Sequence, residues 1–487
     1  MKHRSLALNA FLNSLRSIFN ILFPLITFPY VSRKLSVSGI GIYNFSNSIV
    51  SYFLLIAALG ISTYAIREGA KYRDNTKKIT QFASEVFTIN IWSTVIAYIL
   101  LFLSLIIFQK LRNYSLCILI FSLQIFFTTI GTEWIYQIYE DYTYITIRSI
   151  IFQILSIILL FVFVKKPQDY LNYAAITVFS AVGSNILNFV HARKYCHIHI
   201  GFGFDWKKHI VPILVLFAAG IANMIYVNSD ITLLGLMKNN YIVGIYSVSS
   251  KIYSLVKTLI SALLIVTIPR LALLLGKKRI KEYKNILAKL TNTLVVLALP
   301  ASVGLIMLAK EVILIISGSN YLRAISSLQI LCFAYIFSIL AWILSDCALI
   351  PAKREKKVLS SMTISAILNI IFNIVLIPFW DEDAAAVSTV LAEISMFFMN
   401  YHYSKDLVSD VFKSKELLNS FVTSVLGCLG IIFICLLCDF EFHSIVLKTL
   451  FSIVLSIIIY GFILLLLKNK VAFSILERVK NILQKEN

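Results

Sequence analysis

The chain has 487 residues, 59% hydrophobic and only 14% charged, with a net charge of +20 and a mean hydropathy of +0.85. A soluble domain carries about 25% charged residues, so a soluble enzyme or binding module is excluded. The basic excess sits in short loops between apolar runs, which is the pattern of membrane topology rather than of a nucleic-acid partner.

The apolar runs have the length that crosses a hydrocarbon core of ~30 Å, and strand alternation is absent. The predicted fold class is therefore all-α, a polytopic membrane protein of about 14 transmembrane helices. In chain order the spans are 8–31, 41–65, 80–108, 115–137, 144–164, 170–191, 210–236, 241–269, 286–309, 322–348, 358–379, 384–402, 417–438 and 444–467. The first run is too long for a cleaved signal and lacks a small-residue cleavage site, so it is read as a retained span. With the N-terminus in the cytoplasm, inner loops and tails hold 29 Lys and Arg and outer loops hold 9, counting Arg323 at the outer end of the span 322–348 with its loop. That bias predicts cytoplasmic termini. After Lys468, Ala472, Ile475, Leu476, Val479, Ile482 and Leu483 fall on one helical face. They predict a short amphipathic helix on the anionic inner leaflet.

A repeat divides the chain. Gly41-Ile42-Tyr43-x-x-Ser46-x-x-Ile49 recurs as Gly244-Ile245-Tyr246-x-x-Ser249-x-x-Ile252 at an offset of 203, which also relates Asn20 to Asn223. Ser122-Leu123-Gln124-Ile125 recurs as Ser327-Leu328-Gln329-Ile330 at an offset of 205. The expected organisation is a six-helix half at 1–200, a second at 201–405, and two further helices with the tail at 406–487. An even number of spans per half makes the repeat parallel, related by an axis along the membrane normal and enclosing a central cavity.

Chemistry-bearing motifs are sparse. The seven cysteines are scattered, and Cys435-Leu-Leu-Cys438 lies in a span with no second pair, so packing is the reading and no metal site is predicted. Neither G-x-x-x-x-G-K-[ST] nor H-E-x-x-H occurs, and no loop exceeds about 18 residues. No catalytic domain and no cofactor are expected. Asp381-Glu382-Asp383 reads as a turn or helix N-cap.

The N-terminal third carries recognisable text: Phe23-Pro-Leu-Ile-Thr-Phe-Pro-Tyr-Val-Ser-Arg33, Gly39-Ile-Gly-Ile-Tyr-Asn-Phe-Ser46, Leu59-Gly-Ile-Ser-Thr-Tyr-Ala-Ile-Arg-Glu-Gly-Ala70 and Gly131-Thr-Glu-Trp134. This text, over about residues 10–150, resembles the bacterial polysaccharide repeat-unit flippases (Wzx-type). They share a superfamily with multidrug and toxin extrusion transporters and peptidoglycan-precursor flippases. The resemblance implies a multi-pass protein of the bacterial inner (plasma) membrane. It implies a substrate of undecaprenyl-diphosphate-linked oligosaccharide, moved from the inner to the outer leaflet by alternating access. The product serves surface polysaccharide: O-antigen, capsule or exopolysaccharide. Implied partners are the lipid-linked oligosaccharide, membrane lipids, a polysaccharide polymerase and a chain-length regulator, with the transporter itself a monomer. Cations in spans 1, 2 and 8 are implied to face the cavity; spans 1 and 8 supply Arg16, Lys251 and Lys257, and span 2 supplies none within its apolar run. Two alternatives share the fold: an ion-coupled multidrug or small-molecule exporter, and a flippase of another lipid-linked cell-wall precursor.

Six basic residues lie inside apolar spans: Arg16, Arg148, Lys251, Lys257, Lys289 and Lys448. A charge at membrane depth costs roughly 2.5–3.5 kcal/mol on insertion scales, so each needs an explanation. Asn13, Arg16 and Asn20 form one polar stripe and are candidate substrate-binding residues. Lys251 continues a stripe with Ser247, Ser254 and Thr258, while Lys257 points about 120° away from it. Asp230 is placed to meet Lys251. Glu133 and Arg148, at equal depth in a hairpin, are expected to pair as a structural contact or inner gate. Glu393, central in span 12, is a candidate for ion coupling. Lys289 and Lys448 are expected to snorkel to a surface, and Glu85 and Asp346 to be solvated or paired. Pro24, Pro29 and Pro212 mark places where spans 1 and 7 can bend.

Overall fold

A computed structural model describes residues 6–201, 203–442 and 444–483, with backbone alone at 6–11, 13, 14, 17, 21, 261–263, 265, 266 and 478–483. The described residues contain helices and no strand. In chain order they are α1 (Leu6–Lys34), α2 (Val37–Ala58), α3 (Ile61–Gly69), α4 (Thr76–Ile107), α5 (Gln109–Arg112), α6 (Ser115–Gly131), α7 (Glu133–Ile138), α8 (Tyr142–Phe163), α9 (Tyr170–Val182) and α10 (Asn185–Ala192). They continue as α11 (Trp206–Met237), α12 (Asn240–Gly276), α13 (Ile280–Met307), α14 (Ala309–Ile316), α15 (Ala324–Trp342), α16 (Glu355–Phe412), α17 (Lys415–Glu441), α18 (Ile445–Leu466) and α19 (Lys470–Leu483). A π-helical stretch, Ile343–Leu349, extends α15.

Every expected span falls on helix. Ten helical segments among the described residues are long and apolar enough to cross a membrane. The count of fourteen is not reached by that measure. The segments at 8–31, 115–137 and 241–269 are helical but fall outside the ten. Two more expected spans run together in α16, where Asp381, at φ 49°, marks the kink between them. The exposed apolar side chains, such as Ile106, Ile158 and Phe440, form the coat that hydrocarbon rather than water would cover.

Helix starts follow the local chemistry. Ser36, Asn75, Asp205 and Ser414 each accept a hydrogen bond from a backbone N–H of the first turn they precede. Several spans are broken, and the breaks are answered by neighbours. Leu59 (φ 46°) and Gly60 (φ 74°) separate α2 from α3. The Ala57 carbonyl beside that break accepts from Asn90 Nδ2 (2.8 Å) and Ser93 Oγ (2.6 Å) of α4. Thr132 (φ 41°) separates α6 from α7, and the Phe127 carbonyl accepts from Asn185 Nδ2 at 2.9 Å. An unpaired carbonyl in hydrocarbon costs several kcal/mol, so these polar side chains make the broken helices tolerable.

The chain divides into two compact units, residues 1–244 and 245–487. In the first, α2 packs against α4, α6, α9 and α11, and α1 against α8. Helices α1 and α8 run in the same direction. Thr146 Oγ1 donates to the Leu12 carbonyl, Gln153 Nε2 to Asn20 Oδ1, and Tyr30 Oη to the Val164 carbonyl, in that order along both. A cluster of Tyr64, Phe82, Trp134, Tyr136, Tyr195 and Ile213 closes one end. In the second unit α15 packs on α13 and α16, and α17 on α13 and α18. Tyr460 Oη of α18 donates to the Val296 carbonyl of α13 at 2.6 Å. The tail is helical as expected, and Val471 and Ala472 anchor it to the cluster around Tyr460.

The repeated glycines have a packing role within the first unit. A Cβ at Gly41 would lie 1.8 Å from the Asn240 carbonyl oxygen, and one at Gly244 would lie 2.1 Å from that of Val37. Backbone meets backbone there, and no side chain fits. Gly304 in α13, by contrast, has open space around it. Gly41→Ala is expected to lower the melting temperature of the detergent-purified protein by several degrees. Gly304→Ala should leave it unchanged or slightly raised, because alanine is the better helix former by about 1 kcal/mol. Equal melting temperatures for the two variants would refute the close approach.

Candidate functional site

Glu133 is the first residue after the Thr132 break. With Ser62, Asn90, Thr129 and Trp134 it lines a cavity of about 90 Å³ beside the α2–α3 and α6–α7 breaks. Two guanidinium groups approach its carboxylate. Arg16 Nη1 of α1 donates to Oε1 at 2.7 Å, and Arg148 Nη2 of α8 lies 3.7 Å from Oε2. Gln137 Nε2 adds a longer contact at 3.4 Å. Arg148 is 7% exposed and Arg16 24%. One carboxylate thus faces two cations. Arg16 Nε, Arg148 Nε and Arg148 Nη1 are enclosed with no hydrogen-bond partner among the described residues.

The expected Glu133–Arg148 partnership is present, but it is the longer of two contacts. Arg16 takes the shorter one, because the parallel packing of α1 on α8 brings Arg16 level with the start of α7. One turn further along α1, Asn20, itself exposed, accepts from Gln153 Nε2 at 2.7 Å, so Arg16 and Asn20 each have a partner on a neighbouring helix. The side chain of Asn13 lies outside the described residues.

In the second unit Lys257 Nζ of α12 donates to Glu393 Oε1 of α16 at 3.0 Å, and Ser338 Oγ of α15 donates to the same oxygen at 2.8 Å. The Lys257 ammonium lies 5.8 Å from the centre of the Tyr253 ring. Two residues with separate expected roles are therefore one buried pair. Lys251, a turn and a half earlier, forms no ion pair within its own unit among the described residues. The hydroxyls that follow it turn to their own helix: Ser254 donates to the Lys251 carbonyl and Thr258 to that of Ser254. Asp230 is buried on α11. It lies two residues before Thr232, whose hydroxyl meets Ser48 (2.6 Å) and Tyr52 (3.1 Å) of α2.

Other partnerships escaped the sequence. Lys448 does not snorkel free. It binds Glu311 at 2.7 Å and also Asp439, because α14 packs beside α18 and offers a carboxylate at its level. Glu85 meets His209 Nε2 at 2.8 Å, and His209 Nδ1 meets the Tyr64 hydroxyl at 2.8 Å. Both Glu85 and His209 stand near the starts of their spans, which was the available signal. The acidic triplet does more than turn the chain: Arg323 binds Asp381 at 2.8 Å and also Glu382, and Ser326 donates to Asp383 at 2.8 Å. Asp346 accepts from Trp342 Nε1 at 2.6 Å and Ser345 Oγ at 2.8 Å.

Residues 6–275, more than half of the chain, match the family model described as "Polysaccharide biosynthesis protein". The chain belongs to this family. Its relatives include two proteins named "Putative O-antigen transporter". The one from Shigella dysenteriae is 23% identical over 77% of this chain and 94% of its own length. The one from Escherichia coli (strain K12) is 24% identical over 64% of this chain and 75% of its own. Among solved structures, the lipid II flippase MurJ in an inward closed conformation superposes with a TM-score of 0.73 at 16% identity, over 93% of this chain and 98% of that one. An inward-facing MATE multidrug transporter of the MOP superfamily gives 0.61 at 14% identity, over 82% and 96%. These structures share the fold of this family member, a multi-pass membrane protein.

The buried pair of the second unit makes a stability prediction. Removing one partner of a buried ion pair costs about 3–5 kcal/mol, whereas replacing both by apolar groups is close to neutral. Glu393→Ala should therefore lower the melting temperature more than the double variant Glu393→Ala with Lys257→Met. A double variant less stable than Glu393→Ala would refute the pair.

Proposed function

We propose that this chain is a flippase that moves undecaprenyl-diphosphate-linked oligosaccharide repeat units from the inner to the outer leaflet of a bacterial inner membrane, by alternating access, for surface polysaccharide synthesis. The observation that carries the reading is the surplus of positive charge inside the helices. Arg16 and Arg148 share the single carboxylate of Glu133. Membership of the polysaccharide biosynthesis family and the O-antigen transporter relatives support the same class of cargo. A site built for organic cations would carry the opposite surplus.

A lipid diphosphate gives up hydration when it leaves the headgroup layer. Arginine replaces that hydration well, because its planar fork binds two phosphate oxygens at once. In this scheme Glu133 holds Arg16 while the site is empty, and the incoming diphosphate displaces it. Asn13 and Asn20 supply amides for the sugar, and Lys251 supplies a second positive contact. Lys257 is held by Glu393 until that carboxylate is neutralised, which makes the pair a candidate for ion coupling. Asp230 and the Glu133–Arg148 contact serve as gating elements. Binding energy offered only in one state shifts the population toward it.

The test is export of surface polysaccharide in a strain that depends on this transporter. Arg16→Ala and Lys251→Ala should each reduce surface polysaccharide at least tenfold, with lipid-linked repeat units accumulating inside. Normal export at normal protein levels would remove that residue from the site. Orientation is checked separately. The seven native cysteines are buried, and Asp74 in the loop before α4 is fully exposed. Asp74→Cys should react with an impermeant maleimide only in broken cells; reaction in intact spheroplasts would invert the topology.

A further inference from the structure

A second feature of Arg148 faces away from Glu133. Between α8 and α10 lies a groove of about 470 Å³, with Arg148, His191 and Lys194 toward one end and Ile147, Ile151 and Leu187 along it. Arg148 is 7% exposed, and two of its nitrogens, Nε and Nη1, have no partner among the described residues. The same holds for His191 Nδ1. The His191 ring stacks on Tyr144 at 4.1 Å, and the Arg148 guanidinium sits 5.9 Å from the Tyr144 ring centre. Asp141, the carboxylate lining the groove, already accepts from the Tyr195 hydroxyl at 2.6 Å. The polar end of the groove therefore carries net positive charge, beside enclosed donors that lack a partner among the described residues.

Its apolar part says what enters. Ile147, Ile151, Ile154 and Ile158 are each about half exposed, and they form one stripe along α8 at helical spacing. Such a stripe is stable only under lipid, so an occupant arriving from that side is itself lipid. Basic pockets between transmembrane helices near the membrane surface are a known headgroup chemistry. We infer that the groove between α8 and α10 binds an anionic phospholipid of the surrounding membrane, with its phosphate on Arg148 and Lys194 and its acyl chain along Ile147, Ile151 and Leu187. The lipid then bears on Arg148, and through it on the Glu133 contact, without entering the transport site.

Native mass spectrometry of the purified full-length chain, loaded with phosphatidylglycerol or phosphatidylcholine, tests this with no transport and no oligosaccharide present. One phosphatidylglycerol should be retained in preference to phosphatidylcholine. Arg148→Gln with Lys194→Gln should weaken retention about tenfold or more, since charge-assisted hydrogen bonds are lost. Ile147→Trp with Leu187→Trp fills the groove, leaves both cations in place and should weaken it similarly; it serves if the charge variant fails to fold. Equal retention of phosphatidylcholine would overturn the inference. So would unchanged retention in a folded variant of either kind, or displacement by glycerol phosphate as effective as by the intact lipid.

Discussion

A polypeptide in hydrocarbon has no water to answer its carbonyls, and that constraint shapes the first unit of this protein. Spans α2–α3 and α6–α7 are broken, and each break has a polar side chain from a neighbouring helix waiting for a carbonyl beside it. Asn90, Ser93 and Asn185 thus do more than pack. They answer carbonyls near the two breaks, and the turn at Thr132 sets Glu133 at the start of a new helix beside a small cavity. The contact of Glu133 with Arg16 follows from where that turn falls.

The two units treat membrane charge differently. In the second, Lys257 and Glu393 neutralise each other and Ser338 completes the carboxylate oxygen. In the first, two arginines divide one carboxylate and several guanidinium nitrogens go unanswered. The Lys257–Glu393 arrangement is self-sufficient. The arginine arrangement around Glu133 is stable but incomplete, and an anion able to accept several hydrogen bonds would complete it.

Much of the fold was legible because span length and loop charge are properties of the chain itself. The helices at 80–108, 210–236 and 417–438 need no partner to be recognised. The breaks were harder. Gly60 advertises one, but Thr132 is an ordinary residue in a left-handed conformation, and nothing local marks it. The ion pairs were legible only where the partners lie in one hairpin, as with Glu133 and Arg148. Lys257 and Glu393 are 136 positions apart, and Lys448 and Glu311 are 137 apart. Their meeting depends on which helices pack together, which periodicity does not encode. Arg16 stood out as a cation inside an apolar span, but its nearest partner depended on α1 lying along α8.

The Gly-Ile-Tyr repeat has a consequence for how such a chain can change. Its two glycines sit against one another's neighbouring backbone, Gly41 against Asn240 and Gly244 against Val37. A typical packing contact can drift, since a larger residue on one side is offset by a smaller one on the other. Here each glycine meets backbone, which no substitution makes smaller, so no reciprocal change restores the fit. Any divergence between the two copies of the motif must therefore take place around these glycines and leave both of them fixed.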